Sequence, residues 1–440
     1  MRALFCCFAL MVGVASHAEV SLAGKMPEEV LPQMGEVIAL ALENSDTVKV
    51  RAFVEGEAKG KRISANSAVM PKFTSSFSFR QEKDEDTDGK AEFEDRVVYS
   101  IVFKHPLYHW GSLQSQKKIG QLQFDMEGLS SARIISDLIQ KVRRDYMALV
   151  ILKQKLTRSR VDLDEAVARL EYHQESVEQG KASKTSLFNY ELAVERQELA
   201  VLRNESDWDY RLGSFARLTG VDAEVLGEKI ADEIPEFEML TAESIYGFDT
   251  FFQQGVELDE DYQRMNLDVE VQKQNLKIIN QSLKPKLDAQ LGLSSNALDL
   301  DGTRREQSYS YFGVAVGWSI FDGFRKKGRS MEAMQRLSRM EFGLEGVETD
   351  LVRGFEQMRT RLEIERRSLA IEERALIATE GRLEWIQSRV EEGLDSEAAL
   401  EKIQKDYDNA SLRAQNLRIS YLTALSALVS ELGLDALSVD

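Results

Sequence analysis

Apolar side chains recur at strict seven-residue steps in two long stretches of the chain. The first ladder is Val142, Leu149, Leu156, Leu163, Leu170, Val177, and the second is Phe355, Leu362, Leu369, Leu376, Leu383, Val390, displaced by 213 positions. Each ends three residues before a glycine, Gly180 in Val-Glu-Gln-Gly and Gly393 in Val-Glu-Glu-Gly. A heptad repeat free of proline specifies long helices that supercoil left-handedly against neighbours. The spacing predicts long helices over Ser112–Gln179 and Arg325–Glu392, followed by closing helices over Lys184–Leu218 and Ser396–Leu432. At 1.5 Å per residue each long helix reaches roughly 100 Å. Shorter helices are expected over Met34–Val69 and Asp249–Leu283, so that each half pairs one continuous rod with a broken one.

Between these helices the period changes from seven to two. Phe73, Ser75, Phe77, Phe79 alternate with Thr74, Ser76, Ser78, Arg80, and Val97, Tyr99, Ile101, Phe103 alternate with Val98, Ser100, Val102, Lys104. The second half repeats the device with Leu287, Ala289, Leu291, Leu293 and with Phe312, Val314, Val316, Trp318, Ile320. Such runs are amphipathic strands with one oily face and one small or polar face. Taken alone they fit a hairpin packed on a helix. Their length of nearly 10 residues and the aromatics on the oily side also match a transmembrane β-barrel. On that reading Phe73, Phe77, Phe79, Tyr99, Ile101, Phe103, Leu287, Leu291, Phe312, Val314, Val316 and Trp318 face lipid. Four strands per chain fall short of the roughly eight that a barrel needs, so copies must share it; two, three or four copies satisfy the arithmetic. The polar stretches Gln81–Asp95, rich in Asp and Glu, and Ser295–Ser308 are expected to be loops.

Aligning the ladders also matches Pro71-Lys72-Phe73 with Pro285-Lys286-Leu287, Trp110-Gly111 with Asp322-Gly323, and Leu218-Thr219-Gly220 with Glu431-Leu432-Gly433. The chain therefore reads as a tandem duplication. The expected domains are a leader at 1–18, a first repeat at 19–220, a linker at 221–248, a second repeat at 249–433 and a tail at 434–440.

The leader rests on Met1-Arg2, an apolar run from Ala3 to Ala15 and the small-x-small pattern Ser16-His17-Ala18, which predict a secretory signal peptide with Glu19 as the mature start. Cys6 and Cys7, the only cysteines, lie inside it, so disulfides and thiolate metal sites are not expected. A formal charge of −18 argues against nucleic acid as a partner. His105 and His109 have a spacing that suits a metal only on a helix, which Pro106 disfavours. No phosphate loop or catalytic triad pattern is present, and neither a cofactor nor an enzymatic activity is expected.

The duplicated unit of helix, strand-loop-strand and long helix resembles the TolC-like outer-membrane efflux proteins (outer-membrane factors) over essentially the whole mature chain. The local matches are the Pro-x-apolar strand entries at Pro71 and Pro285, the aromatic turns Pro106–Gly111 and Ser319–Gly323, and the two tip segments. The resemblance implies a mainly α fold with a transmembrane β part. It further implies a homotrimer whose twelve strands form an outer-membrane β-barrel, continued by an α-helical periplasmic tunnel. As implied partners it brings a periplasmic adaptor and an inner-membrane transporter, of RND, ABC or MFS class, serving efflux or type I secretion. Gly180, Lys181, Ser183, Thr185, Gly393, Leu394 and Ser396 are then the adaptor-contacting tips, and Asp395, Glu397 and Glu401 the candidate periplasmic entrance. Ala399 and Lys402 stand where the family's best-known entrance has acidic residues. Tyr108, Trp110, Trp318 and Phe321 are expected at a membrane interface. The competing reading is a periplasmic coiled-coil scaffold or adhesin without a pore.

Overall fold

A computed structural model describes residues 26–85, 91–181, 183–300 and 303–438. The expected leader, with Cys6 and Cys7, and part of each expected strand-joining loop lie outside the described residues. In order, the elements are α1 (Pro27–Val30), α2 (Pro32–Asn44), α3 (Asp46–Asn66), β1 (Lys72–Glu85), β2 (Ala91–Tyr108), α4 (Ser112–Glu178), α5 (Lys184–Thr219) and α6 (Ala223–Lys229). They continue with α7 (Ala242–Gly247), α8 (Phe252–Leu258), α9 (Glu260–Asn280), β3 (Lys286–Leu300), β4 (Thr303–Gly317), α10 (Arg325–Glu391) and α11 (Glu397–Glu431). The fold is mainly helical, with one antiparallel sheet in the order β1-β2-β3-β4.

The duplication extends to the backbone. Helices α4 and α10 are both 67 residues long, and Ser112 to Arg325 is the same interval as Glu178 to Glu391. Left-handed residues recur at that interval too: Trp110 with Gly323, Gly111 with Phe324, Gly180 with Gly393, Gly220 with Gly433. The sequence alignment of Trp110-Gly111 with Asp322-Gly323 is thus displaced by one residue, because the left-handed pair in the second copy is Gly323-Phe324. Helices α3 and α9 are both 21 residues, starting at Asp46 and Glu260.

The two shorter helices are not continuous as expected. Ser45 accepts a hydrogen bond from the Thr47 amide at 3.2 Å, and Asp259 from the Tyr262 amide at 2.7 Å. These N-caps satisfy free amides at new helix starts, which breaks Met34–Val69 and Asp249–Leu283 into separate segments. The strands are longer than expected, 14, 18, 15 and 15 residues, because backbone pairing continues through the polar stretches. Trp318 and Ile320 fall outside β4, which ends at Gly317.

The chain forms two compact units. Among the described residues, one comprises those within 26–43, 140–252 and 355–435, and the other those within 44–139, 253–354 and 436–438. In the first unit the ladders supply the core: Val142, Leu149, Leu156, Phe355, Leu362 and Leu369 are buried with Leu422, Leu425 and Leu428 of α11. Toward the tips Leu163, Leu170, Val177, Leu376 and Val390 are only half-buried. The segment 230–241 crosses this core with little regular structure, and side chains satisfy its backbone. Tyr146 Oη donates to the Lys229 carbonyl at 2.8 Å and accepts from the Ala231 amide at 3.1 Å. Gln415 bonds both the amide and the carbonyl of Ile234, Arg418 donates to the same carbonyl at 2.9 Å, and Tyr421 Oη accepts from the Leu240 amide. Burial pushes the Tyr421 phenol up to about 12.

Arg143 is completely buried in α4 and holds two carboxylates. Its guanidinium donates twice to Glu28 of α1, at 2.6 and 3.0 Å, and twice to Asp435 beyond α11. Burial opposes the charge, but the hydrogen bonds to Asp435 and Glu28 outweigh it and hold the guanidinium above its ordinary value. Nothing in the heptad pattern marks this residue.

The second unit packs α3, α4, α9 and α10 beneath the sheet ends. A Cβ on Gly120 of α4 would lie 2.2 Å from Ala65 Cβ of α3, so glycine is required for that approach. On its other side α4 meets α9 through Ser115 Oγ to Gln274 Oε1 at 2.9 Å and Lys118 Nζ to Glu270 Oε1 at 2.9 Å.

Two expectations follow. Arg143→Met leaves two carboxylates without their cation, and should lower stability by roughly 3–5 kcal/mol; a loss under about 1 kcal/mol in detergent unfolding would contradict this assignment. Glu363 of α10 accepts from Arg366 at 2.7 and 2.9 Å and from Arg367 at 2.6 Å, and the Arg366 bonds above all hold its carboxyl down at about 2. A lowered carboxyl stabilises the fold above its unfolded value near 4.5 and ceases to as pH falls toward 2. Glu363→Gln should therefore remove about 1–2 kcal/mol of the stability lost between these pH values, allowing for screening at exposed Arg367. Identical acid-unfolding curves for the two proteins would refute it.

Candidate membrane-facing sheet and helix tips

The four strands align their oily positions in continuous rows. Phe73 pairs with Phe103, Phe103 with Leu291 and Leu291 with Phe312; Phe77 pairs with Tyr99, and Ile101 with Leu293. Because strand side chains alternate, rows in register put every member on the same face. Phe73, Phe77, Phe79, Tyr99, Phe103, Leu291, Val314 and Val316 are all exposed, and Phe312 is 88% exposed. Leu287 and Ile101 of the same face are half-buried. The opposite face carries small and polar pairs such as Ser76 Oγ with Ser100 Oγ at 2.8 Å. There Gly292 makes room for Tyr311, whose ring would lie 2.4 Å from an added Cβ.

One charged cluster on the sheet escaped sequence reasoning. Asp288, nearly buried at the start of β3, accepts from Lys104 of β2 at 2.8 Å, and His109 Nε2 lies 2.8 Å from its other oxygen. Pro106 and Tyr108 pair with Asp288 and Leu287, with a register shift between them that carries the chain past the strand end. His109 thus lies beyond β2 while His105 lies within it, so the pair has no helical i,i+4 geometry.

The aromatic turns tie the strand ends to the segment entering β3. Trp110 Nε1 donates to the Pro285 carbonyl at 2.7 Å, and Trp318 Nε1 to the Leu283 carbonyl at 3.0 Å. Tyr108 meets Trp110 edge to face at 5.0 Å, and Phe321 meets Phe324 in the same way at 5.4 Å.

The two tips share one construction. At Gly393 (φ 73°) the Gly393 amide donates to the Val390 carbonyl and the Leu394 amide to the Arg389 carbonyl, and at Gly180 (φ 72°) Val177 and Ser176 accept the corresponding bonds. This left-handed glycine closure ends each long helix. Ser183 then caps α5 through the Ser186 amide at 3.1 Å, and Ser396 caps α11 through the Ala399 amide at 3.3 Å. Lys181, Thr185 and Leu394 are exposed around these turns.

The carboxylates near the second tip are engaged unequally. Asp395 accepts from Arg389, whose guanidinium also lies 4.8 Å from the Trp385 ring centroid. Glu401 accepts from Lys405 at 2.9 Å and from Arg169 of α4 at 2.6 Å, which hold its carboxyl below the usual range. Glu397 sits exposed in the first turn of α11. Arg169, which joins the first repeat's long helix to the second repeat's closing helix, was not singled out from sequence.

Comparison with known proteins agrees with this architecture. The chain is similar in structure to the outer membrane protein VceC of Vibrio cholerae (TM-score 0.69, 15% identity, covering 92% of this chain and 97% of that one). It is also similar to the CmeC outer membrane channel of Campylobacter jejuni (0.69, 14%, 91% and 85%) and to the MtrE outer membrane channel of Neisseria gonorrhoeae (0.65, 12%, 91% and 89%). No curated protein sequence matches it. The family model described as outer membrane efflux protein matches twice, at residues 37–221 and 253–434, once in each copy of the repeat. The chain belongs to the outer membrane efflux protein family and is a passive channel protein of the outer membrane, not an enzyme.

Proposed function

We propose that three copies of this chain assemble into the exit duct of a tripartite efflux pump, their hairpins closing a twelve-stranded barrel in the outer membrane and their long helices lining a periplasmic passage. The observation that carries this reading is a four-stranded sheet with an exposed oily face and one unpaired edge on each of β1 and β4. Open edges are not tolerated in lipid, and four strands are too few to close a barrel alone. The lipid-facing set is the exposed row from Phe73 to Phe312 together with Val314 and Val316. Trp110, Trp318, Tyr108 and Phe321 sit at the interface, where an amphipathic ring is most stable.

The tips at Gly180 and Gly393 are the docking points for a periplasmic adaptor, which connects the duct to an inner-membrane transporter. Each presents a rigid turn with exposed side chains, Lys181 and Thr185 at one and Leu394 at the other. Substrate choice, including any role in type I secretion, belongs to that transporter. The pairs Arg169–Glu401 and Arg389–Asp395 hold the entrance closed. Glu397 adds negative charge at its rim.

Two measurements test this proposal. A single cysteine at Ser183 or Ser396, crosslinked in intact cells, should capture an adaptor and its transporter; self-crosslinks alone from abundant folded protein would favour the scaffold reading. In planar bilayers the purified protein should conduct, and Arg169→Ala with Arg389→Ala should raise single-channel conductance at least about twofold by removing both charge-assisted contacts. Unchanged conductance would dissociate these pairs from closure, and a soluble monomer without conductance would refute the duct itself.

A further inference from the structure

The turn from β4 into α10 departs from its copy in the first repeat, and the departures gather at one cavity. An opening of about 540 Å³ lies between the segment leaving α9 and the first turns of α10, within the size range of small-molecule sites. Leu283, Phe321, Phe324, Met331 and Met334 form its apolar wall, and Asp322, Lys326, Lys327 and Ser330 its polar side. The two rings and the two methionines are largely exposed. Trp318, at the foot of the oily strand face, donates to the Leu283 carbonyl at 3.0 Å, so the wall begins where the lipid-facing surface ends.

The first repeat serves as an internal control. In the shared register, Arg325 to Arg329, four cations in five residues, stand where the first copy has Ser112-Leu113-Gln114-Ser115-Gln116, which carries no charge. A chain with a formal charge of −18 has gathered these cations at a helix N-terminus, the end at which positive charge is least favourable. Among the described residues none of the four side chains has an acidic partner. Asp322, the carboxylate of the lining, accepts from the Lys326 amide at 2.9 Å and is outnumbered by the two lysines. Met331 and Met334 likewise replace Lys118, which pairs with Glu270 of α9, and Gln121. Phe324 stands where the first copy has Gly111, and both are left-handed, at φ 65° and 82°. That conformation costs a bulky residue far more than it costs glycine. The ring is thus held against backbone preference, as strained residues at ligand sites are. The second copy has added an apolar wall and unneutralised lysines to a fold that does without them in the first.

We infer that this cavity binds an anionic phospholipid of the periplasmic leaflet, its phosphodiester held by Lys326 and Lys327 and an acyl chain laid along Phe321, Phe324, Met331 and Met334. This rests on the outer-membrane barrel proposed above, which sets the strand feet and the helix starts at the periplasmic surface of the bilayer. Trp318 and Phe321 then lie at headgroup depth, where lysine stems cover apolar surface while their ammonium groups reach phosphate. Basic pockets at that depth attract anionic headgroups. Phosphatidylethanolamine brings an ammonium of its own toward the lysines and binds less tightly, whereas phosphatidylglycerol brings none. Occupied in this way, the site anchors the junction of sheet and rod at a fixed depth.

Native mass spectrometry of the full chain in detergent, with phosphatidylglycerol or phosphatidylethanolamine added, tests the site and reports assembly at the same time. The protein should take up one tight phosphatidylglycerol per chain, with at least about tenfold higher affinity than phosphatidylethanolamine, and Lys326→Gln with Lys327→Gln should abolish the preference. Lys155→Gln with Arg203→Gln, on α4 and α5 in the other unit, removes the same charge and should leave the preference intact. Phe324→Gly, which restores the residue type of the first copy, should weaken both lipids alike. Inorganic phosphate should not displace the lipid; displacement would assign the lysines to the free anion and overturn the proposal. An intact oligomer that binds the two lipids equally also overturns it, as does one whose preference survives loss of both lysines, the result expected if a neighbouring copy fills the cavity. Each of these outcomes leaves the barrel standing. A soluble monomer that binds neither lipid overturns the barrel as well.

Discussion

Backbone hydrogen bonding in lipid governs this molecule. Each strand has two edges, and hydrocarbon offers no partner for an unpaired amide or carbonyl. Among the described residues β2 and β3 are paired on both sides while β1 and β4 are paired on one. The exposed oily face therefore cannot enter a membrane as a property of one chain, and assembly becomes a condition of membrane residence.

The fold was legible where one periodicity dominated over a long span. Both long helices were read to within one residue of their observed ends, since seven-residue ladders and terminal glycines are local signals. The strand faces followed from alternation, but strand lengths did not, because backbone pairing continues through polar residues that leave no hydrophobic trace. The breaks at Ser45 and Asp259 were missed because an N-cap inside an otherwise helical run looks like any other polar position.

The candidate site was legible in its surfaces and obscure in its links. The tip glycines and capping serines announce themselves by type and spacing. Arg143 with Glu28 and Asp435, Lys104 and His109 with Asp288, and Arg169 with Glu401 join residues more than 100 positions apart in every case. No spacing rule identifies such partners. The side chains that hold segment 230–241, Tyr146, Gln415, Arg418 and Tyr421, are hidden for the same reason: they sit on helices whose heptads already explain them.

The equal lengths of α4 and α10 also constrain how this architecture changes over time. Helix α4 is bonded laterally to α5 through Arg160 and Glu205, and to α11 through Arg158 and Asp408, while α11 is bonded to α10 through Arg413 and Glu372. An insertion in one rod moves every later contact out of phase with the helices bonded to it. Only whole-heptad changes made in all four helices together preserve the packing. The periplasmic reach of such a protein is consequently quantised, and it varies by matched edits in both repeats rather than by gradual drift in either.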